Sequence, residues 1–258
     1  MALDEALLLN AGEIPVIRVY GWTPPALSLG VHQDASANTD LSLRGKVPVV
    51  RRLTGGRAVY HSAEITYSVT AGYSAPGIGK NLRETYSNIA SALVYAFSLS
   101  GIKTETDRHS AAGRINRKGP DLPCFVSSSF MEITHKGKKL CGSAQARKRS
   151  GILQHGSIKL HDDDKDAADF TSAPADIKKE YKSLLKGFSC SFKSAGGKGD
   201  GYKILSANLV KGFEKIFGEM RTINYLKLIG EDSLDILEQK YNSESWTFFP
   251  ERFNQKKE

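Results

Sequence analysis

The chain has 258 residues, 40% of them hydrophobic and 25% charged, with 36 Lys+Arg against 28 Asp+Glu for a formal charge of +8. That length and balance describe a globular chain with a real core and argue against a disordered or fibrous protein. Its cysteines, Cys124, Cys141 and Cys190, lie far apart with no CxxC pair, which argues against a disulfide framework and a structural zinc site; no metal site is expected.

The opening Met-Ala-Leu-Asp-Glu-Ala-Leu-Leu-Leu carries acids where a signal peptide would carry bases. No apolar run approaches the ~20 residues that a membrane span needs. A cytoplasmic, reduced protein without a membrane partner is expected. The positive excess suits acidic partners through long-range steering. An acidic carrier protein fits; nucleic acid is not expected, because aromatic and basic residues do not interleave.

In chain order, an amphipathic helix runs from Met1 to about Asn10. Strand-like runs follow at Pro15–Tyr20, Ala26–Val31 and Val47–Leu53, then at Ala58–His61 and Glu64–Ala71, where Ile65, Tyr67 and Val69 alternate. Asn81 to Ser100 reads as a helix with Ile89, Leu93 and Phe97 on one stripe and Gly101 at its end. Residues 107–121 form a basic loop with Arg108, Arg114, Arg117 and Lys118. A hairpin is expected next, Phe130–His135 and Lys139–Ala146 around a Lys136-Gly137 turn, followed by a strand from Gly151 to Leu160. After Asp162–Asp164 the pattern turns helical, at about Ala175–Lys186, Tyr202–Phe217 and Ser233–Tyr241, with a Gly- and Lys-rich loop at 194–200. Strands first and helices last predict an α+β fold with a mixed or antiparallel sheet and flanking helices. One domain over residues 1–258 is expected, sheet-rich to about 187 and helical beyond.

Three clusters could carry chemistry. In Arg51-Arg52-Leu53-Thr54-Gly55-Gly56-Arg57-Ala58-Val59-Tyr60-His61, paired glycines let the backbone approach a ligand, and arginines suit a phosphate or carboxylate. A plain hairpin turn with exposed charge gives the same string. In Lys138-Lys139-Leu140-Cys141-Gly142-Ser143-Ala144, followed by Gln154-His155-Gly156-Ser157, a strand lysine beside small residues can reach a polarised carbonyl; a surface lysine is the alternative. Cys124, in Leu122-Pro123-Cys124-Phe125, is either an inert small hydrophobe or a nucleophile activated by nearby bases such as Lys139, Arg51 and Arg52.

The string RRLTGGRAVYHSAEITYSV, Arg51 to Val69, resembles the signature of the biotin/lipoate protein ligase superfamily in its lipoate-ligase branch. KKLCGSAQARKRSGILQHGSI, Lys138 to Ile158, is similar to that branch's second signature, whose invariant lysine falls on Lys139. ALDEALL, VIRVYGW, LSLGVHQ and the closing Lys240-Tyr241-Asn242-Ser243 with Trp246 extend the likeness over nearly the whole chain. Within the branch, the chain most resembles the LipM-type octanoyltransferases, which carry a nucleophilic cysteine in a CF motif. Cys124-Phe125 stands fifteen residues before Lys139, the spacing of that group. Val126-Ser127-Ser128 departs from the group's Asp-Ala-Pro, and the short segment before the first helix is missing.

The resemblance implies a catalytic fold like that of class II aminoacyl-tRNA synthetases and biotin ligases. It implies octanoyl transfer from octanoyl-acyl carrier protein, through a Cys124 thioester, to the lysine of a lipoyl domain. Glycine cleavage H protein or a 2-oxoacid dehydrogenase E2 would be the acceptor. No cofactor is then required. Lys139 would stabilise charge at the carbonyl or orient the amine. Arg51, Arg52, Thr54, Gly55, Gly56, Arg57, Gly142, Ser143, Ala144 and Gly156 would shape the substrate site, and the 108–118 bases would gather with Arg51 and Arg52 at its rim. His61 and His155 are candidates for proton transfer or for structural roles. An ATP- and magnesium-dependent lipoate ligase holding an acyl-adenylate is one alternative, and an octanoyl amidotransferase between lipoyl proteins another. A non-catalytic relative is disfavoured by the intact lysine, glycine turn and cysteine.

Overall fold

Strand β5, Glu64–Ala71, organises the molecule because both of its faces are buried. Odd positions Ile65, Tyr67 and Val69 join an apolar core, while Glu64, Thr66, Ser68 and Thr70 are buried polar residues on the other side. The computed structural model describes residues 1–40, 42, 45–107, 131–163 and 165–249. Cys124, the bases at 108–118 and the first residue of the expected hairpin lie outside the described residues.

Around β5 is a six-stranded antiparallel sheet in the order β1-β5-β9-β8-β7-β6. Here β1 is Val16–Tyr20, β6 Glu105–Asp107, β7 Glu132–His135, β8 Lys138–Lys148 and β9 Gly151–Lys159. A three-stranded sheet, β3-β2-β4, holds β2 (Ala26–Leu29) parallel to β3 (Val49–Arg51) and antiparallel to β4 (Val59–His61). The mixed α+β architecture expected from the sequence is therefore present, although the run expected at Val47–Leu53 pairs over three residues only. The short β6 was not anticipated.

Helix α3, Leu82–Leu99, begins where the Asn81 side chain accepts the Glu84 amide, supplying one orphan N–H of the first turn with a partner. Its Ile89, Leu93 and Phe97 meet Leu205, Leu209 and Phe213 of α5, Gly201–Phe217, over the odd face of β5. Each fully buried side chain of this kind contributes about 1.5–3 kcal/mol, which fixes the face on which the helices lie.

The other side of the sheet is covered differently. Helix α1, Ala2–Leu9, packs Ala6 and Leu7 against Leu234, Leu237 and Tyr241 of α6, Glu231–Asn242. Lys240 pins α6 to α1 through Glu5, Nζ to Oε2 2.7 Å. A one-turn α2, Ala35–Asn38, follows β2. Helix α4, Ala175–Phe188, lays Tyr181 and Leu185 against Val59 of β4, and the short α7, Glu244–Thr247, follows α6. Helix α4 begins at Ala175, where the sequence pattern turns helical. Between the two sheets, the polar face of β5 and β9 is left facing a cleft.

Candidate active site

The hairpin β7–β8 turns through Lys136 at φ +51° and Gly137 at φ +74°. Two positive φ values in a two-residue loop are the signature of a type I′ turn, whose twist matches the strands it joins. The ladder then slips: Thr134 pairs with Lys139 but Ile133 pairs with Cys141, leaving Leu140 as an extra residue. Leu140 and Cys141 both enter the apolar core. This bulge reverses the alternation, so Lys139 shares the opposite face with Gly142 and Ala144. Lys138 is exposed, whereas Lys139 is buried, its Nζ 2.7 Å from Oε1 of buried Glu132.

An open cleft lies between the two sheets. The small sheet contributes Ser28, Val59 and His61, with Arg52 just past β3; β8 contributes Gly142, Ser143 and Ala144; β9 contributes His155, Gly156 and Ser157; Met1, Trp22 and Thr66 complete the lining. The structure thus brings together Arg52, His61, Gly142, Ser143, Ala144, His155 and Gly156 from the predicted set.

The glycine turn is seated by close packing. A Cβ on Gly30 would lie 1.9 Å from the Gly56 carbonyl oxygen, so only glycine admits that approach. Gly56 itself sits at φ +89°, and a Cβ there would be 3.0 Å from Arg52 Nη2 and 4.0 Å from the Ala144 Cβ. Arg52 clamps the turn, donating to the Gly55 carbonyl at 3.0 Å, the Arg57 carbonyl at 2.7 Å and the Ser28 carbonyl at 3.1 Å. Arg57 is half-buried and enters this clamp through its carbonyl.

Two expectations are corrected here. Arg51 and Arg52 are not rim charges, because both are buried. The Arg51 guanidinium donates to the Gly30 carbonyl at 2.9 Å, the Gln33 carbonyl at 2.6 Å and the Thr247 carbonyl at 3.1 Å, holding three segments together away from the cleft lining. His61 is not an open proton acceptor. Its Nδ1 lies 2.7 Å from Glu64 Oε1 and its Nε2 2.7 Å from Ser28 Oγ, which Arg52 Nη1 also contacts at 3.0 Å. The Glu64 carboxylate accepts from Nδ1–H, and the Ser28 hydroxyl occupies Nε2, so both ring nitrogens are engaged. Trp22 stacks on the ring with centroids 4.1 Å apart.

Burial alone would raise the Glu64 carboxyl, but His61, Ser157 and Thr66 outweigh it and hold it below its ordinary value. A second chain crosses the cleft wall: Thr54 Oγ1 lies 2.6 Å from His155 Nε2, and His155 Nδ1 faces Asp4 Oδ2 of α1 at 3.7 Å. Burial lowers the His155 value, and Asp4 only partly offsets it, so the ring is neutral near pH 7. For Asp4, burial opposes ionisation, but the His155 contact and the Arg18 charge hold the carboxyl well below its usual range.

Sequence reasoning assigned no role to Asp4, Ser28, Glu64, Ser157 or Glu132, although all but Glu132 sit inside the matched strings. Their signal was strand alternation: Glu64 and Thr66, or His155 and Ser157, fall two apart on one polar face. Chemically, the site offers a seated backbone turn and two oriented imidazoles; Lys139, paired with Glu132, lies on the same face of β8 as Gly142 and Ala144 but is not among the residues that line the cleft.

Residues 1–190 match the family model described as the lipoyl protein ligase A/B catalytic domain. The chain is 35% identical over 256 residues to octanoyltransferase LipM of Kyrpidia tusciae, covering 96% of this chain and 93% of that protein. It is 33% identical over 262 residues to octanoyltransferase LipM of an Exiguobacterium species, covering 96% and 92%. In fold it is similar to a bipartite lipoate protein ligase of Thermoplasma acidophilum, solved in a study of that ligase and its E2 lipoyl domain. The TM-score is 0.77 at 17% identity, over 96% of this chain and 90% of that one.

Proposed function

This chain belongs to the lipoyl protein ligase A/B catalytic-domain family, and from that premise we propose that it is an acyltransferase of protein lipoylation that places an octanoyl group on a lipoyl-domain lysine. The observation that carries the reading is the end-to-end similarity to two octanoyltransferases.

The finer mechanism rests on the sequence and on general chemistry. Octanoyl arrives as a thioester on an acyl carrier protein. The Cys124 thiolate attacks the carbonyl, and the tetrahedral oxyanion collapses to expel the carrier thiolate. One thioester replaces another, so no nucleotide is consumed and no cofactor is needed. The neutral ε-amine of the acceptor lysine then attacks the acyl-enzyme, the Cys124 thiolate leaves, and the amine gives up a proton. An amide is more stable than a thioester, so the second step draws the reaction forward. Glycine cleavage H protein is the preferred acceptor, with a 2-oxoacid dehydrogenase E2 domain next.

The cleft residues have parts that fit. The Gly55-Gly56 turn, kept in place by Arg52, leaves backbone close to a bound acyl group. The Lys139 ammonium, on the cleft face of β8, supplies positive charge to an oxyanion. Neutral His155 becomes an acceptor for the amine proton only when Thr54 Oγ1, 2.6 Å from its Nε2, turns away.

The test is to incubate the protein with octanoyl-carrier protein, without nucleotide, and record its intact mass. An octanoyl adduct that disappears in Cys124→Ala, yet persists in Cys141→Ala and Cys190→Ala, is the expected result. Full transfer by Cys124→Ala overturns the thioester route. Modification that needs free octanoate and ATP, with release of AMP, identifies a ligase instead.

A further inference from the structure

The ion pair between Glu132 and Lys139 is the buried charged contact that the cleft chemistry leaves unexplained. Both side chains are almost wholly removed from solvent, and their atoms meet at 2.7 Å. Such pairs are poor stabilisers, because desolvating two ions offsets most of their attraction, and an apolar pair of similar volume often does as well. A role in specificity or function is the other account of such a pair.

The backbone has been adjusted to make this contact. Simple alternation from Cys141 would send Lys139 into the apolar core. The bulge at Leu140 places it opposite Thr134, on the same side as Glu132 and on the face that Gly142 and Ala144 line. A flexible four-carbon side chain has no fixed direction of its own; one bond at its tip supplies it.

We propose that Glu132 is a positioning residue, fixing the direction of the Lys139 ammonium on the cleft side of the sheet for the acyl-transfer steps. The inference rests on Lys139 acting in transfer, as read above, and deepens it. No bond to substrate is made by Glu132; it acts through the lysine that it contacts.

The experiment uses the full chain with octanoyl-carrier protein and a lipoyl-domain acceptor, comparing wild type, Glu132→Gln, Glu132→Asp, Lys139→Ala and the double variant Glu132→Gln/Lys139→Ala. Glu132→Gln keeps the shape and removes the charge. Its kcat should fall about 10–100-fold, less than the ~10²–10³ lost with a whole donor, while KM for the carrier protein stays within about twofold. Glu132→Asp, one methylene shorter, should fall between wild type and Glu132→Gln. The double variant should be no slower than Lys139→Ala, because a residue acting through another has nothing to add once that residue is gone. A structural role would lower melting temperature without this dependence on Lys139. Wild-type kcat in Glu132→Gln beside a dead Lys139→Ala overturns the inference and leaves the transfer reading intact. Losses that multiply in the double variant also overturn it. An active Lys139→Ala sinks the role given to Lys139, and the inference with it. Should Glu132→Gln fail to fold, Glu132→Asp decides, and full wild-type kcat there overturns the inference.

Discussion

Arg51 and Trp246, 195 residues apart in sequence, bond to each other's backbone: the indole Nε1 donates to the Arg51 carbonyl at 2.9 Å, and Arg51 Nε donates to the Trp246 carbonyl at 3.2 Å. The closing helices thereby hold the strand that leads into the glycine turn. Lys240 reinforces the contact, with Nζ 4.0 Å from the Trp246 ring centre while bound to Glu5 of α1. The family's opening and closing motifs meet at this point.

Trp246→Phe keeps most of the ring and removes the donor to Arg51. This bond is part-buried, so stranding its acceptor costs at most the ~1–3 kcal/mol of a buried one. Urea unfolding should show that loss with an unchanged m value. A variant as stable as wild type would mean that the clasp contributes nothing to the fold.

Gly30→Ala and Gly55→Ala separate packing from ligand approach. A methyl at Gly30 would collide with the Gly56 carbonyl at 1.9 Å, whereas nothing lies within 4 Å of a methyl at Gly55. Gly30→Ala should lower the melting temperature sharply and displace the turn. Gly55→Ala should fold as wild type, so any loss of transfer there reports crowding of the acyl group. Equal melting temperatures for the two proteins would refute the seating of the turn on Gly30.

Lys139→Ala should lose about 10²–10³ in transfer rate, the usual effect of deleting one oxyanion donor. Lys139→Arg should rescue poorly, because a planar fork does not reproduce the point charge of an ammonium. Exposed Lys138, whose Nζ donates to the Lys186 carbonyl at 3.1 Å, is the control, and Lys138→Ala should be nearly silent. Single-turnover rates from the acyl-enzyme would measure all three. A dead Lys138→Ala beside an active Lys139→Ala would contradict the register of the hairpin.

Acid should weaken the fold in two stages. The folded value of His155 lies below its ordinary 6.5, so the unfolded chain takes up the proton first and stability declines as pH falls below about 6.5. The folded value of Glu64 lies below its ordinary 4.5, so its contribution is complete above that value and is lost as pH falls through the folded one. Denaturant midpoints at pH 7.5, 5.5 and 4 follow both stages. Unchanged stability from 7.5 to 5.5 would count against a buried neutral His155.

Much of this architecture follows from the sequence alone, because it rests on local rules. Alternation in Glu64–Ala71 defined β5 to the residue, the Lys136-Gly137 pair set the tight turn, and the 3.6-residue stripe with Asn81 ahead of it set α3. The motif strings also contained most residues that line the cleft. What they could not state was which functional-looking groups are already engaged. Arg51 is consumed by carbonyls from two segments, one of them contributed by α7, and His61 by Glu64 and Ser28 from two other strands. The face of Lys139 likewise depends on a slip in its pairing with β7, which period-two alternation does not encode. Local propensity acts through neighbours in the chain, whereas a buried polar group takes whatever partner the packed fold brings within 3 Å, and that partner is decided only when the sheets and helices close on one another.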